Sequence, residues 1–248
     1  SAPLICAVLL KTCQKCDIIT DTKLERRDKK MLKGVIFDMD GLMIDTEKLL
    51  TRFWCEAANH YGYPMTKEHV LGIRSLAAKY AIPHLKGIFG EDFDYYKVRA
   101  KRIELMNEFI RQNGIEKKKG LDELLDYLDS TGLKKAVATA TDLQRTTLYL
   151  SSINIIDRFD KLICGNMIEN GKPAPDIYLA AAKELGLDPG ECIALEDSPN
   201  GIRSAHTAGC KPVMIPDLSQ PDEETKKLLY ACCDDLSKVI GVIQKLLR

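Results

Sequence analysis

The sequence predicts a doubly wound parallel α/β sheet with an inserted all-helical domain, and two observations support this prediction. Short β-branched or apolar runs alternate with segments of helical periodicity, which is typical of a parallel sheet covered by helices. The first two runs are about 95 residues apart, whereas a single βαβ crossover needs only a dozen or more. The predicted strands are residues 34–37, 134–140, 161–165, 192–197 and 212–216.

The composition limits the classes of protein to consider. The chain has 248 residues, of which 45% are hydrophobic and 29% charged, as expected for a folded protein with one sizeable core and a smaller second domain. Acidic and basic residues balance at 36 each, so no bulk charge attracts nucleic acid or an anionic membrane. No apolar run approaches the roughly 20 residues of a membrane span, and we expect no signal peptide.

The helices outside the long interval are marked by their periodicity and end signals. The segment LDELLDYLDSTG has its leucines on one face and ends at a glycine that suits a helix C-terminus. The segment DIYLAAAKELG follows a proline, and LSKVIGVIQKLL forms an amphipathic helix near the end of the sequence.

The long interval is itself helical, with glycine and proline only at its breaks. Its predicted helices are EKLLTRFWCEAANHYG, TKEHVLGI, LAAKYAIPHLKG and YYKVRAKRIELMNEFIRQNG. We therefore divide the chain into an N-terminal extension (1–30), an α/β core (31–46 and 115–248) and an all-helical second domain (47–114). Hinges are expected near 44–47 and 114–120, where the chain passes between the two domains.

The nine cysteines favour free thiols in a reducing cytoplasm. Cys55, Cys164, Cys192 and Cys210 lie in apolar segments, where cysteine acts as a small core residue. Cys13 and Cys16 form a single CxxC without a second pair at zinc spacing, so we interpret them as part of the N-terminal extension, with no assigned role. The purpose of that extension stays open.

Polar residues follow the predicted strands at one edge of the sheet, where ligands bind in open parallel α/β proteins. Four carboxylates close together repel one another, so either their pKa values rise or a cation neutralises them. A hard divalent ion with oxygen ligands fits best, which predicts Mg²⁺. An ammonium, two hydroxyls and backbone N–H donors beside it suit a phosphate group. The residues are Asp38, Asp40, Thr139, Ala140, Thr141, Lys172, Glu196 and Asp197.

Four segments in order resemble the motifs of the haloacid dehalogenase superfamily of aspartate-nucleophile phosphotransferases. DMDGLMIDTE is similar to the first motif, VATAT to the second, GKPAPDIY to the third and ALEDSPNG to the fourth. The resemblance extends from about residue 32 to the end of the sequence and is closest to the β-phosphoglucomutase-like and phosphomonoester phosphatase branch. It implies a Rossmann-like core with a helical cap inserted between the first two motifs.

The resemblance also implies roles for individual residues. Asp38 would attack phosphorus and form an aspartyl-phosphate. Asp40 would protonate the leaving oxygen, then deprotonate the attacking water, and its backbone carbonyl would bind the metal. The implied catalytic residues are Asp38, Asp40, Thr139 and Lys172, and the implied metal ligands are Asp38, Asp40, Glu196 and Asp197. The implied phosphate-binding residues are Asp38, Met39, Asp40, Thr139, Ala140 and Lys172, with Arg74 as a further candidate.

Structural interpretations compete with some of these roles. Asp38 and Asp40 are good turn formers after a strand, and Thr139 is a common strand residue. Lys172 taken alone reads as a solvated loop lysine. The ordered set of four motifs favours the functional interpretation of all of them.

Other polar residues have mainly structural interpretations. Asp197 and Ser198 also fit the N-cap of the next helix, which is compatible with metal binding. Asp45 is expected to be a structural carboxylate near the hinge or the N-cap of the first cap helix. Trp54, Tyr95 and Tyr96 are expected in the core of the cap. No catalytic role is assigned to His60, His69, His84 or His206.

The predicted activity is magnesium-dependent hydrolysis of a small phosphomonoester, a sugar phosphate or similar metabolite. Sugar-phosphate mutases of this branch carry a histidine that would fall near Leu49 and Leu50, and a GxSR element that here reads LGIRS with Arg74 one place early. A mutase stays the alternative, and a non-catalytic sugar-phosphate sensor is the alternative of another class. A monomer is expected, with a dimer left open, and the substrate itself is not predicted.

Overall fold

The structure of the protein, a computed structural model, describes residues 16–18, 31–74 and 76–248. Of the predicted N-terminal extension it describes only the backbone of Cys16–Ile18, so Cys13 and the side chain of Cys16 lie outside the described residues. Within the described part of the chain, no helix combines the length and the apolar composition needed to cross a membrane.

A seven-stranded sheet forms the centre of the molecule, with the strand order β1-β7-β6-β5-β2-β3-β4. All neighbouring strands are parallel except β1, which pairs antiparallel with β7. The strands are β1 (Cys16–Ile18), β2 (Gly34–Phe37), β3 (Lys134–Thr139), β4 (Lys161–Cys164), β5 (Cys192–Glu196), β6 (Lys211–Met214) and β7 (Ala231–Cys233).

Ten α-helices accompany the sheet in the described residues. Four of them, α1 to α4, lie between β2 and β3 and constitute the helical insert. The helices are α1 (Glu47–His60), α2 (Lys67–Gly72), α3 (Ala78–Phe89), α4 (Tyr95–Asn113), α5 (Leu121–Thr131), α6 (Leu143–Ser152), α7 (Asp176–Leu185), α8 (Pro199–Ala208), α9 (Glu223–Lys226) and α10 (Val239–Leu246).

The central strands are buried on both faces, which explains their uninterrupted apolar sequences. Every residue of β2 is buried, and so is every residue of β5. Val35 and Phe37 belong to one hydrophobic cluster, whereas Ile36 between them belongs to the cluster on the opposite face. The alternation follows from the two-residue period of a strand and gives the sheet two hydrophobic layers.

The helical insert has a hydrophobic cluster of its own, which includes Trp54, Leu85, Phe93 and Val98. Its inner end reaches the main core, since Phe53 belongs to the same cluster as Val35. The separate cluster of the insert supports the division of the chain into core and cap. The exact bounds of the two domains stay a prediction.

The predicted elements agree with the structure apart from their ends and one side chain. All five predicted strands are present within two residues of the expected bounds, whereas β1 and β7 were not predicted. Trp54 and Tyr95 are buried as expected, but the expectation for Tyr96 is wrong, because 65% of this residue is exposed. The N-cap of α1 is Thr46, so Asp45 has only the structural role, and it forms ion pairs with Lys48 and Lys118.

The thiols follow the prediction where their side chains are described. Cys164, Cys192 and Cys210 are buried free cysteines, and Cys55 is a half-buried one. Burial raises the pKa of the Cys192 thiol to about 12. These groups behave as core residues and not as nucleophiles.

Candidate active site

Asp38 is the first residue after β2 and lies at the carboxyl edge of the sheet. Its backbone N–H donates to the carbonyl of Leu195 on β5 (3.0 Å), so the pairing of β2 with β5 continues to this residue. The side chain is buried. The strand ladder therefore holds a carboxylate at the point where the sheet edge opens to a cavity.

Asp40 receives hydrogen bonds from hydroxyl groups of three threonines. Thr46 Oγ1 donates to Asp40 Oδ1 (2.6 Å), and Thr141 Oγ1 donates to Asp40 Oδ2 (2.8 Å). Thr139 Oγ1 lies farther away, at 3.4 Å from Oδ2, and accepts a hydrogen bond from the Thr141 backbone N–H (3.1 Å). Both carboxyl oxygens of Asp40 are thus fixed in direction by neighbours.

Lys172 joins Asp38 to the end of β5. Its Nζ donates to Asp38 Oδ1 (2.5 Å) and to the carbonyl of Ala138 (3.1 Å), and it lies 2.7 Å from Glu196 Oε1. Only 1% of the residue is exposed. Burial alone would lower the pKa of Lys172, but Asp38 and Glu196 more than offset it, so its pKa is raised and the ammonium stays charged. The solvated-loop interpretation of Lys172 is therefore wrong.

Glu196 and Asp197 end β5 beside Asp38. The hydroxyl of Tyr178 on α7 donates to Glu196 Oε1 (2.5 Å). A Cβ at Gly201 would overlap the carboxyl group of Glu196, so glycine is required for this close approach. The next residue, Ser198, is the N-cap of α8 and accepts from the Gly201 backbone N–H (3.1 Å).

The carboxylates of Asp38, Glu196 and Asp197 form a buried acidic cluster. One oxygen of each lies within 4.8 Å of the others. Burial raises the pKa of Asp38 and of Asp197 well above the usual range, and the neighbouring acids add to the rise. Among the described residues, Asp197 Oδ1 is buried without a hydrogen-bond partner. An unpartnered oxygen in an all-carboxylate cluster fits a hard divalent cation such as Mg²⁺.

Two residues of the helical insert contact this cluster. The guanidinium of Arg74 donates to Asp197 Oδ2 through Nη2, and its Nε lies 3.3 Å from Glu47 Oε2. Burial raises the pKa of Glu47 to about 8. Arg74 opposes this rise, and the negative charges of Asp40 and Asp38 add to it. Arg74 thus offsets negative charge at the cluster in this structure, and its predicted contact with a substrate phosphate stays a prediction.

A cavity of about 600 Å³ lies between the sheet edge and the helical insert. Asp38, Asp40, Thr139, Ala140 and Lys172 line its floor, so the structure brings these candidate residues together, and their roles stay predictions. The volume is in the range of sites for small molecules, roughly 300–1,000 Å³. Met39 is fully buried in the hydrophobic core, so only its backbone is available for the predicted phosphate contact.

Several contributors to the site were missed at the level of sequence. Thr46, Glu47 and Tyr178 lie within the segments recognised as motifs, but no role was predicted for them, because their contacts at the site depend on tertiary packing. Arg102 had a detectable signal: it occupies the buried stripe of α4, between Val98 and Met106. A charged residue in an apolar stripe indicates a functional or ion-paired group.

Comparison with known proteins agrees with this geometry. The sequence model of the haloacid dehalogenase-like hydrolase family matches residues 35–215. A probable pseudouridine-5'-phosphatase of Drosophila melanogaster is 32% identical over 209 residues, which cover 79% of this chain and 88% of the relative. A phosphorylated carbohydrates phosphatase of Thermotoga maritima is 29% identical over 186 residues, covering 73% and 84% respectively.

A solved structure supports the same fold. The β-phosphoglucomutase of Clostridium difficile has a TM-score of 0.74 at 23% identity, covering 88% of this chain and 97% of the mutase. The chain belongs to the haloacid dehalogenase-like hydrolase family. It is a hydrolase, and the four motif-like segments meet at the carboxyl edge of its sheet.

Proposed function

We propose that this hydrolase is a magnesium-dependent phosphatase that acts on a small phosphomonoester, a sugar phosphate or similar metabolite, through an aspartyl-phosphate at Asp38. One observation carries the proposal. Asp38 lies buried at the floor of the cavity, in contact with Lys172 and beside two further carboxylates. Relatives named as phosphatases of phosphorylated carbohydrates and of pseudouridine 5'-phosphate support the substrate class.

Asp38 acts as the nucleophile. A carboxylate oxygen forms a bond to phosphorus while the bond from phosphorus to the substrate oxygen breaks. Lys172 holds Asp38 in position and balances the negative charge that accumulates around the phosphoryl group. In the second step, water attacks phosphorus, and the bond from phosphorus to Asp38 breaks to release phosphate and the free carboxylate.

Asp40 moves the protons in both steps. It gives its proton to the departing substrate oxygen, and then takes a proton from the attacking water. The hydroxyls of Thr46 and Thr141 fix the orientation of its two oxygens at 2.6 Å and 2.8 Å. The hydroxyl of Thr139 makes a weaker contact with Asp40, at 3.4 Å, and is therefore available to donate to a phosphoryl oxygen.

Mg²⁺ would be held by Asp38, Glu196 and Asp197, with the backbone carbonyl of Asp40 as a further ligand. When bound, the ion supplies positive charge that offsets the repulsion between Asp38 and an incoming phosphate. The raised pKa values of Asp38 and Asp197 support this assignment, because burial and the neighbouring acids disfavour the charged carboxylates and the cations Lys172 and Arg74 offset this only in part.

The helical insert, residues 47–114, acts as a cap over the cavity. Its two connections to the core run side by side: Asp45 N–H donates to the Glu116 carbonyl, and Lys118 N–H to the Met43 carbonyl, both at 2.9 Å. Two connecting segments that are hydrogen-bonded to each other make a compact hinge about which the cap can open and close over the cavity. The free thiols of the described residues favour a reducing compartment such as the cytoplasm.

The test is phosphate release from a panel of phosphomonoesters, in Mg²⁺ and in chelator, by wild type and Asp38→Asn. We expect magnesium-dependent release that the substitution reduces by at least about a thousandfold. The matched control is Asp157→Asn, since Asp157 is exposed and away from the cavity. Release that survives Asp38→Asn would refute the proposed nucleophile. Absence of release from the whole panel would turn attention to isomerisation of a sugar phosphate, and then to the sensor function.

A further inference from the structure

A second charged region of the cavity lies on the helical insert and α6. Arg99 and Arg102 of α4 and Arg145 of α6 line the cavity. Arg145 is held by Asp142 at the start of its own helix, with Nε 2.8 Å from Asp142 Oδ2. Among the described residues, these three guanidinium groups form an ion pair with one carboxylate, that of Asp142, so positive charge is in excess. The three residues Arg99, Arg102 and Arg145 are here called the arginine wall.

Arg102 is the most exceptional member of the arginine wall. Only 5% of it is exposed, and across residues 31–74 and 76–248 it forms no ion pair with a carboxylate. Its Nε has no hydrogen-bond partner there, and Nη1 has only the thioether of Met106 at 3.9 Å. The guanidinium also lies 5.4 Å from the ring centroid of Trp54. A buried cation without a counter-charge is costly, which indicates that a ligand supplies one.

The electrostatic surroundings of Arg102 agree with this shortage. Burial, together with the neighbouring cations Arg145 and Arg99, lowers the pKa of Arg102 to about 10. Tyr149 lies within electrostatic range of both the arginine wall and Asp40. Burial and Asp40 raise the pKa of Tyr149, whereas Arg145 and Arg102 oppose the rise, so all three charged groups lie within electrostatic range of one phenol.

We propose that the arginine wall binds a second oxyanion of the substrate, a carboxylate or a second phosphate, while the phosphomonoester lies against Asp38. This inference rests on the proposed phosphatase function and narrows its substrate class to metabolites with two anionic ends. Guanidinium groups bind carboxylate and phosphate through paired hydrogen bonds, which suits both anions. Arg74 is not the source of this binding, since it is already paired with Asp197 and Glu47.

The inference is tested with pairs of substrates that differ only in the second anion. The pairs are phosphoglycolate with ethyl phosphate, 3-phosphoglycerate with glycerol 3-phosphate, and fructose 1,6-bisphosphate with fructose 1-phosphate. In at least one pair, we expect the wild-type kcat/KM to be tenfold or more higher for the substrate that carries the second anionic group. The first two pairs report on a carboxylate, and the third reports on a second phosphate.

Variants assign that preference to Arg102. In Arg102→Gln and Arg102→Lys, the ratio of kcat/KM within the preferred pair falls at least tenfold, mainly through KM. The control is Arg111→Gln on the same helix, whose side chain is 73% exposed and paired with Glu108. This control keeps the wild-type ratio. Lysine retains the charge but loses paired hydrogen bonding. A misfolded variant loses activity toward both members of a pair, so a fall in their ratio is not due to misfolding.

Two outcomes overturn the inference while the phosphatase function stands. One is equal kcat/KM within every pair, and the other is an unchanged ratio in both Arg102 variants. If no substrate releases phosphate, the phosphatase function fails. Calorimetric binding of phosphoglycolate and fructose 1,6-bisphosphate then decides whether the arginine wall binds an anion. Binding weakened at least tenfold by Arg102→Gln supports the arginine wall as an anion site, and equal binding by wild type and variant refutes it.

Discussion

The two ends of the cavity hold opposite and unequally balanced charges. At the sheet edge, Lys172 contacts Asp38 and Glu196, and Arg74 contacts Asp197, so each acid has a cation beside it. On the arginine wall, Arg102 lacks such a partner among the described residues. The difference teaches that the charge at the sheet edge is balanced in part within the protein, with the acids in excess, whereas the charge of Arg102 is left for a ligand to balance.

The comparison predicts that removing a buried cation changes the free energy of unfolding in opposite directions at the two ends of the cavity. At the sheet edge, Lys172→Met leaves Asp38 and Glu196 facing one another without the ammonium. We expect the free energy of unfolding to fall by about 3 kcal/mol and kcat by at least about a hundredfold. Denaturant unfolding in chelator and phosphate release in Mg²⁺ measure the two effects.

The control for Lys172→Met is Lys161→Met. Lys161 is half exposed and lies 3.6 Å from Glu184, a surface pair that contributes little. A Lys172→Met protein as stable and active as this control would contradict the interpretation of Lys172 as the balancing charge.

Two glycines with the same backbone conformation separate crowding at the sheet edge from backbone strain. Gly41 and Gly62 have φ of +85° and +84°. A Cβ at Gly41 would overlap Asp197 Oδ2 and lie 2.6 Å from Glu47 Cγ, whereas at Gly62 it meets no described atom within 4 Å. Gly62→Ala should cost about 1 kcal/mol of stability. Gly41→Ala should cost about 2 kcal/mol more and weaken Mg²⁺ binding.

Thermal unfolding with and without Mg²⁺ measures both glycine variants. Magnesium should raise the midpoint of Gly62→Ala as much as that of wild type, and that of Gly41→Ala by less. Equal destabilisation by the two substitutions would mean that the acidic cluster has room to move, against the packing described above.

Much of the fold and of the sheet edge could be predicted from the sequence, because local patterns determine them. The run GVIF is apolar throughout because β2 is buried on both faces, and the acids after it follow from the ends of parallel strands. By contrast, β1 and β7 have three residues each, too few for a periodicity to be recognised.

The contacts between insert and core could not be predicted. Arg74 reaches Asp197 across 123 positions, and Tyr149 reaches Asn107 across 42. Such pairs depend on how helices pack, which no local pattern contains. Tyr96 was misplaced for the same reason, since the exposed and buried faces of α4 begin at adjacent tyrosines.

At the arginine wall, removal of the buried cation should stabilise the ligand-free protein. Arg102→Met keeps a long apolar side chain next to Trp54 but removes a charge without a counter-charge. We expect the free energy of unfolding to rise by about 1 kcal/mol, opposite in sign to Lys172→Met. Denaturant unfolding without ligand measures it, with Arg111→Met as the exposed control. A loss of stability as large as that of Lys172→Met would show that the protein already balances Arg102.

A dependence on pH is expected from Glu47, the residue through which the insert contributes an acid to the sheet edge. Its pKa in the folded protein is about 8, above the usual value of 4.5, so folding favours the protonated acid. The stability that this acid contributes is complete below about pH 4.5 and is lost as the pH rises through about 8. The free energy of unfolding in chelator should therefore fall between pH 6 and pH 9, and the fall should be about 2 kcal/mol smaller in Glu47→Gln than in wild type. Glu56→Gln on the exposed side of α1, where Glu56 pairs with Arg52, is the control and keeps the wild-type slope. Identical slopes in wild type and Glu47→Gln would mean that Arg74 keeps Glu47 ionised throughout, and that the insert adds a balanced ion pair to the sheet edge.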